Sequence, residues 1–362
     1  MSDQAKGSMN VVTIKDVAAR AGVSPATASR VLSGHPATSP GSRERVEQAA
    51  RELDFHPNAQ ARALRSTRSD TIGLLVSDVR NPFFADLAHT IEQELLACGY
   101  TTLLGNANED PAQQDRYLDT LISRRADGVI VAPQGGGDPG AIQALLARGV
   151  PLVFVDRVLP GIPVPSVTTD PVPGIRQAAV HLRDRGHRRV GYIAGPQTAS
   201  TGRDRLAAWA DAAADAGLDA EPALIHHGDF QAESGSAAVH RLFQLPDPPT
   251  ALLAADSLMT VGALAMLQRL GHRIGEDVAL IAFDDIEWFS LLNPPLSVIA
   301  HSVEEMGRHA VRLLREVIAG GAPDSILLSS ELIVRASSSS PAPAPAPAAP
   351  ARPSPPLSKE PS

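Results

Sequence analysis

Two hydrophobic patterns divide the chain. Residues 11–56 carry apolar side chains at helical spacing, whereas residues 70–336 alternate apolar runs of strand length with amphipathic helical stretches. Most of these runs are apolar without interruption, as in strands that are buried on both faces of a parallel sheet. The alternation predicts βαβ units, and their number favours an α/β core of two doubly wound subdomains. The predicted strands are 71–77, 100–106, 128–133, 151–156, 188–195, 251–256 and 279–284.

The segments that flank the predicted core have a different composition. Residues 1–10 and 57–69 are mostly polar or basic, and residues 337–362 consist mainly of proline, alanine and serine. A segment of this kind cannot bury enough surface to offset the entropy lost on folding. We therefore expect the first and last segments to be disordered. We expect the middle one to be a hinge or linker between a headpiece (11–56) and the core (70–336).

A helix-turn-helix is predicted in the sequence TIKDVAARAGVSPATASRVL, residues 13–32. Its first helix has one apolar face, preceded by the capping-box pattern of Thr13 and Asp16. Gly22 favours a sharp turn because glycine readily adopts the left-handed conformation. Ser24 then caps a second helix. The connection is about three residues long, which is typical of DNA-binding helix-turn-helix units.

The second predicted helix has a face that could enter the major groove of DNA. Ala28, Val31 and Leu32 are expected to pack inward, which leaves the opposite face for base edges. Arg30 on that face is the candidate for bidentate contact to guanine. A third helix, predicted at residues 42–53, closes the small core. The candidate DNA contacts of this unit are Thr13, Ser24, Pro25, Ala26, Thr27, Ser29 and Arg30.

Charge is distributed unevenly between the predicted domains. The whole chain has a formal net charge of −8, yet residues 1–68 hold ten Lys/Arg against six Asp/Glu. That balance is +4, and it leaves −12 for residues 69–362. A basic headpiece on an acidic core suggests that only the headpiece meets DNA. A generic three-helix bundle, which is the alternative interpretation, would require neither this balance nor the turn at Gly22.

Cysteine usage and hydropathy bear on the compartment of the protein. The single cysteine, Cys98, lies in the apolar sequence LLACGY, so we expect a buried core thiol and no intramolecular disulfide. No run of eighteen uncharged apolar residues occurs, and residues 1–10 lack the apolar stretch of a signal peptide. We therefore expect a cytoplasmic protein with no membrane partner.

The ordered motifs of the chain resemble those of the lac repressor family of transcription regulators. TIKDVAARAGVSPATASRVL is close to the family's signature, and ELDFHPNAQARAL, SDVRNPFFADLAHTIEQ, GHRRVGYIAGP and LAADSLMTVGAL continue the likeness through residues 12–336. The resemblance implies a periplasmic-binding-protein-like core whose chain crosses between its subdomains near residues 166–170 and 298–302. It also implies a repressor controlled by a small-molecule effector, with no cofactor, no metal and no catalytic activity.

The resemblance assigns a role to the segment after the headpiece. In the family this segment forms a short helix on DNA, pairs with its copy in the minor groove and wedges a leucine into the central base step. Asn58, Ala61 and Leu64 match the cap, the partner contact and the wedge, although an ordinary exposed leucine remains the alternative for Leu64.

The resemblance also implies a homodimer on a two-fold symmetric DNA operator. One headpiece makes too small an interface for tight specific binding, so two are needed. Tetrameric members carry a C-terminal heptad helix, whereas this chain ends in a sequence of the type PAPAPAPAAP. We therefore expect a dimer.

The effector site nominated by the resemblance lies in the loops after the strands, where doubly wound sheets bind ligands. Carboxylates, an arginine and aromatic faces suit a sugar or sugar derivative. Ala255 and Ala199 depart from the family, because many members have an asparagine at the first position and purine-responsive members an arginine at the second. The nominated effector contacts are Phe83, Phe84, Asp156, Arg205, Phe230, Asp256 and Asp284.

Two other functions remain open at this point. Gly135, Gly137 and Gly140 match the G-x-G-x-x-G fingerprint of an NAD-binding enzyme, and Asp156 follows at about the required distance. Pro139 argues against this enzyme, because it lies where backbone N–H groups should face the phosphates. The second alternative is a regulator that responds to a partner protein and not to a small molecule.

Overall fold

The chain forms two compact units, which join in sequence between Ser69 and Asp70. The structure is a computed structural model that describes residues 12–32, 38–55, 69–219 and 221–339. We call the described residues between 12 and 55 the headpiece and those between 70 and 339 the core. Each unit is treated by itself below.

Three helices form the headpiece: α1 (Ile14–Ala21), α2 (Pro25–Leu32) and α3 (Pro40–Glu52). At the start of α1 the Thr13 backbone N–H donates to Asp16 Oδ2 at 2.8 Å. Gly22 ends the helix in the left-handed conformation, with φ 64°. Ser24 Oγ accepts a hydrogen bond from the Thr27 N–H at 3.1 Å, which caps α2. The turn between α1 and α2 therefore arises from local side-chain and glycine signals.

The three helices bury a small common core. Val17 from α1, Ala28 from α2 and Val46 from α3 are completely shielded from solvent. Helix α3 begins earlier than predicted because Ser39 caps it and a proline occupies its first position.

The core alternates strands with helices along the chain. None of the helices in the described ranges is long and apolar enough to cross a membrane. The strands are β1 (Thr71–Val76), β2 (Thr101–Asn106), β3 (Gly128–Val131), β4 (Leu152–Val155), β5 (Ser166–Asp170), β6 (Val190–Ala194), β7 (Ile225–His227), β8 (Ala251–Ala254), β9 (Ala279–Phe283), β10 (Ser297–Ala300), β11 (Ile326–Ser329) and β12 (Glu331–Ile333). The helices are α4 (Pro82–Ala97), α5 (Pro111–Ser123), α6 (Gly140–Ala147), α7 (Val172–Asp184), α8 (Ser200–Ala216), α9 (Ala232–Leu242), α10 (Ser257–Leu270) and α11 (Val303–Ile318).

Two six-stranded sheets organise the core into two subdomains. The first sheet has the order β11-β5-β4-β3-β1-β2 and is parallel throughout. The second has the order β12-β10-β9-β8-β6-β7, and β12 pairs antiparallel with β10. Apolar side chains of α4 and α11 cover one face of the first sheet, and those of α5 and α6 cover the other. This layered burial explains why the strands are continuously apolar in sequence.

The chain passes between the subdomains three times, after β5, after β10 and between β11 and β12. The third passage occurs at Ser330, whose Oγ donates to the Asp170 carbonyl at 2.7 Å and accepts from the Gly174 N–H at 3.1 Å. Only the first two passages were expected. The third escaped the sequence analysis because β11 and β12 are short and half-exposed, so they show no uninterrupted apolar run.

Two predictions about burial were wrong. Cys98 is exposed and not a core thiol, because it lies beyond the end of α4, past Leu95, the last buried residue of that helix. Ser337 and Ser338 are fully buried, although composition placed them at the start of a disordered tail. Their burial is possible because their hydroxyl groups are hydrogen-bonded inside the second subdomain, as with the 2.7 Å bond from Ser337 Oγ to the Leu280 carbonyl.

Candidate functional site

A crevice lies between the two subdomains of the core, beside the carboxyl ends of their strands. Asp156 follows β4, Asp256 follows β8 and Asp284 follows β9. The crevice encloses about 10 Å³ of free space, and a chamber of about 230 Å³ adjoins it. The structure brings all seven nominated effector contacts to the crevice: Phe83, Phe84, Asp156, Arg205, Phe230, Asp256 and Asp284. Their contact with an effector stays a prediction.

The three aspartates differ in how they are held. Asp156 and Asp284 have left-handed backbone conformations, with φ 63° and 72°, a strained geometry that is common at binding sites. Asp256 Oδ1 caps α10 by accepting from the Met259 N–H at 2.9 Å. Its Oδ2 accepts from Asn81 Nδ2 at 3.1 Å, across the crevice. Asp256 is therefore occupied as a bridge between the subdomains.

Burial controls the ionisation of these carboxyl groups. It raises the pKa of Asp256 to about 7, an effect that the Met259 N–H opposes and the nearby Asp284 charge reinforces. Burial also raises the pKa values of Asp156 and Asp284, while nearby arginines oppose the increase. A protonated carboxyl group can donate a hydrogen bond and an ionised one only accepts.

Two buried arginines complete the crevice. Glu109 holds Arg157 through two hydrogen bonds of 2.7 and 2.8 Å, and the Arg157 guanidinium lies 4.8 Å from the ring centre of Phe230. Arg205 Nη1 donates to the Ala255 carbonyl at 2.7 Å. The protein itself therefore engages part of the donor capacity of both side chains.

Direct hydrogen bonds also join the two walls of the crevice. Arg80 Nη2 donates to Gln231 Oε1 at 2.8 Å, and the Val158 N–H donates to Ser200 Oγ at 3.0 Å. Together with the Asn81–Asp256 bond they hold the subdomains in a closed arrangement.

The headpiece presents most of its nominated DNA contacts to solvent. Thr13, Ser24, Pro25, Ala26 and Arg30 are exposed, whereas Thr27 and Ser29 are half-buried. Ala28 and Val31 are buried, as expected from the helical spacing, and Leu32 is half-buried. The hinge residues Asn58, Ala61 and Leu64 lie outside the described residues.

Comparisons with known proteins agree for both parts of the chain. Residues 13–58 match the model of bacterial regulatory proteins of the lacI family, and residues 179–338 match the periplasmic binding protein-like domain. The HTH-type transcriptional repressor CytR of Escherichia coli (strain K12) is 34% identical over 338 residues, covering 92% of this chain and 98% of CytR. The chain belongs to the lacI family of bacterial regulatory proteins.

Two solved structures resemble this lacI-family protein over 90% of its chain and 99% of theirs. The lac repressor dimer bound to operator and the anti-inducer ONPF has a TM-score of 0.80 at 28% identity. The transcriptional regulator CelR in complex with cellobiose has a TM-score of 0.68 at 35% identity. The predicted family and fold class are confirmed, and the protein is a DNA-binding transcription regulator.

The structure adds residues to the crevice of this lacI-family regulator that the sequence analysis did not nominate. Asn81, Arg157 and Thr201 line it, and His301 lies next to one of its aspartates, with Nδ1 3.9 Å from Asp284 Oδ1. Arg157 could have been found, since it directly follows a nominated aspartate at a strand end. Nothing in the local sequence marks His301.

The glycine loop that resembles a dinucleotide fingerprint has a structural explanation in this regulator. A Cβ atom at Gly135 would lie 1.9 Å from the Thr198 carbonyl oxygen of the opposite subdomain, and one at Gly137 would lie 2.7 Å from Pro111. These close approaches leave no space for a pyrophosphate against the Gly135 and Gly137 backbone. Within the described ranges, no group of three His, Cys, Asp or Glu side chains could hold a metal ion.

Proposed function

We propose that the protein is a homodimeric repressor that binds a two-fold symmetric operator and is controlled by a sugar or sugar derivative that occupies the crevice and its adjoining chamber. The observation that carries this proposal is the convergence of the seven nominated side chains at the crevice. They combine acceptors, an arginine and three phenyl rings, which is the chemistry that polyhydroxylated rings require. CelR, which resembles this chain over most of its length, has been solved with cellobiose.

DNA binding is assigned to the exposed face of α2. Arg30 projects from its last turn and is exposed, and Pro25 and Ala26 at its start offer apolar contacts. Asn58, Ala61 and Leu64 would follow in the minor groove, as the resemblance implies. The lac repressor dimer, which has the same fold, has been solved on its operator. Because the target is chromosomal DNA, we propose that the protein works in the cytoplasm, without a cofactor and without catalysis.

Control of DNA binding follows from linkage between the two sites. An effector that contacts both walls of the crevice favours the closed arrangement and so changes the spacing of the two headpieces in a dimer. A coupling free energy of about 1–3 kcal/mol would alter operator affinity by about five- to 150-fold. The direction of this change, towards release or towards binding, depends on which arrangement the paired hinge segments prefer.

The test begins with selection of DNA from a randomised pool by the full-length protein, followed by affinity measurements on the selected sequence. Arg30→Ala should lower discrimination at one base pair of each half-site by about 1–3 kcal/mol. Arg51→Ala removes the same charge from an exposed position on α3 and is the matched control. It should weaken binding to all sequences alike, if at all. Equal loss of base-pair discrimination in both variants would show that α2 is not the helix that recognises the DNA sequence.

The effector is tested by repeating the affinity measurement with pentoses, hexoses, disaccharides, sugar phosphates, purines and NAD. A sugar that changes operator affinity supports the proposal. Binding of NAD together with a failure to select DNA would favour the enzyme alternative. Selection of DNA with no response to any small molecule would favour a partner protein as the signal.

A further inference from the structure

Three buried polar atoms beside the crevice have no hydrogen-bond partner among the described residues. They are Asp284 Oδ1 and the two ring nitrogens of His301. The side chains are 5% and 1% exposed, and Nδ1 lies 3.9 Å from Oδ1, which is too long for a direct hydrogen bond. Buried polar atoms are nearly always paired in folded proteins. The Asp284 and His301 side chains therefore require a ligand group that can form a hydrogen bond with each of them.

The surroundings of His301 keep its ring neutral near pH 7. Its ring lies near those of Phe83 and Phe283, at centroid distances of 5.5 and 6.4 Å. The charged groups that face it are Asp284, Asp156 and Arg205. Burial first, and then the Arg205 charge, lower the pKa of His301 to about 4, while Asp156 opposes the shift. A neutral imidazole has one donor and one acceptor nitrogen.

One ligand hydroxyl can satisfy two of these three atoms, Asp284 Oδ1 and His301 Nδ1. An oxygen within about 2.8 Å of each atom fits between Asp284 Oδ1 and His301 Nδ1, given their separation. That oxygen would donate its proton to the carboxylate and accept the imidazole N–H. An ether oxygen, a carboxylate or a phosphate ester ionised at neutral pH has no proton to donate to Asp284.

The charge of the site also disfavours anions. Arg157 and Arg205 are its only arginines among the described residues, and Glu109 already pairs with Arg157. Like charges that meet at a binding surface weaken binding strongly, so an anionic ligand would be rejected. The acidic residues of the crevice and its chamber are Asp156, Asp170, Asp204 and Asp284, together with Asp256, which is only partly ionised near neutral pH because its pKa is about 7.

We propose that the effector is an uncharged polyhydroxylated compound, and that His301 and Asp284 together select it through one hydroxyl group. Phosphorylated and acidic relatives of the same compound are excluded by the acidic lining. This inference rests on the proposed function, because it concerns the same effector site.

The test uses calorimetry on the full-length protein with matched pairs: ribose and ribose 5-phosphate, glucose and glucose 6-phosphate, fructose and fructose 1-phosphate, cytidine and its monophosphate. Cellobiose and the deoxy forms of these compounds complete the panel. An uncharged compound should bind, and its phosphate should bind at least about tenfold more weakly. One deoxy form should lose a similar factor, and its position identifies the hydroxyl.

His301 is tested with two variants. His301→Leu should weaken binding of the uncharged compound about tenfold or more, and His301→Gln, which keeps a donor and an acceptor, should restore most of it. In His301→Leu the deoxy form and the parent compound should bind almost equally, which a merely structural role would not produce. If His301→Leu does not fold, the deoxy series on the unaltered protein gives the same comparison.

Three results would overturn the inference: tighter or equal binding of a phosphate, no loss with any deoxy form, or no uncharged compound binding at tens of millimolar. DNA selection by the same protein preparation shows whether only this inference fails or whether the proposed function fails as well. A protein that selects its operator and responds to a phosphorylated compound remains an effector-controlled regulator. A protein that selects no DNA would instead contradict the proposed function itself.

Discussion

At the scale of single residues, burial has opposite effects on the acids and the histidines of the core. It raises the pKa of Asp256 to about 7 and lowers the pKa of His187 to about 4. His187 follows α7 and is almost completely buried, with Nδ1 2.9 Å from Thr250 Oγ1. In both cases the uncharged form is favoured because the protein solvates charge less well than water.

His187 should make the protein less stable in mild acid. Its pKa in the folded state is lower than the value of about 6.5 in the unfolded chain, so the unfolded state binds more protons between pH 6.5 and 4. The free energy of unfolding should therefore fall through this window, by about 2–3 kcal/mol from His187 alone. Asp256 acts in the opposite direction, since its raised pKa favours the folded state as pH falls from about 7.

Comparison with His187→Gln isolates this contribution. Denaturant unfolding at several pH values should show that the unfolding free energy of the wild type approaches that of the variant as pH falls. Asp256 titrates in both proteins, so its contribution cancels from the difference. His240→Gln removes an exposed imidazole from α9 and is the matched control. Parallel curves for His187→Gln and the wild type would show that His187 is not held neutral by burial.

At the scale of elements, the loop between β3 and α6 sets how closely the two subdomains approach. Gly135 lies against the Thr198 carbonyl, where any Cβ atom would overlap the backbone. Gly140 belongs to the same stretch, but a Cβ there would make only an ordinary contact, 3.5 Å from Asp138. Substitution of each glycine by alanine therefore distinguishes an effect on closure of the crevice from a general effect on the loop.

Gly135→Ala should hold the crevice partly open, whereas Gly140→Ala should not. The Val158 N–H, which donates to Ser200 Oγ across the crevice, reports the difference by hydrogen exchange. Its exchange should be faster by about tenfold or more in Gly135→Ala and unchanged in Gly140→Ala. The same variant should respond less to an effector in DNA binding. Unchanged hydrogen exchange in Gly135→Ala would show that the close contact at Gly135 does not limit how closely the subdomains approach.

At the scale of the whole molecule, the last described residues tie the end of the chain to the second subdomain. Ser337 Oγ accepts from the Ser297 N–H at 2.8 Å, and Ser338 Oγ donates to Ser297 Oγ at 2.7 Å. His181 Nε2 lies 2.8 Å from the Ser338 carbonyl oxygen. The two serine bonds are buried and the histidine bond is partly buried, so their partners would be left unpaired if Ser337 and Ser338 were removed.

Two truncations should therefore differ sharply. A chain that ends after Ala336 should lose about 2–4 kcal/mol of unfolding free energy, because it leaves several buried groups without partners. A chain that ends after Ser339 should keep both its stability and the dimeric state that we propose. Thermal unfolding and analytical ultracentrifugation measure the two properties. A loss of dimer in the longer chain would place the subunit contact in residues 340–362.

Local signals in the sequence determined the headpiece helices, seven of the core strands and the family of the protein. The capping residues and Gly22 specify the headpiece turn, and the continuous apolar runs mark central strands such as β1 and β9. These signals can be read from sequence because they depend on neighbours within a few residues. The aspartates at strand ends were nominated by the family resemblance, which agrees with the rule that doubly wound sheets bind ligands at the carboxyl ends of their strands.

Only the tertiary structure decided how these parts meet. Asp256 bonds to Asn81 and Arg157 bonds to Glu109, although the members of each pair are far apart along the chain. His301 faces Asp284, which precedes it by a shorter stretch of sequence that includes β10. The third passage between subdomains and the burial of Ser337 also arose from distant contacts. Such contacts carry no local pattern, because a hydrogen bond or a buried charge depends on the packing that places its partner nearby.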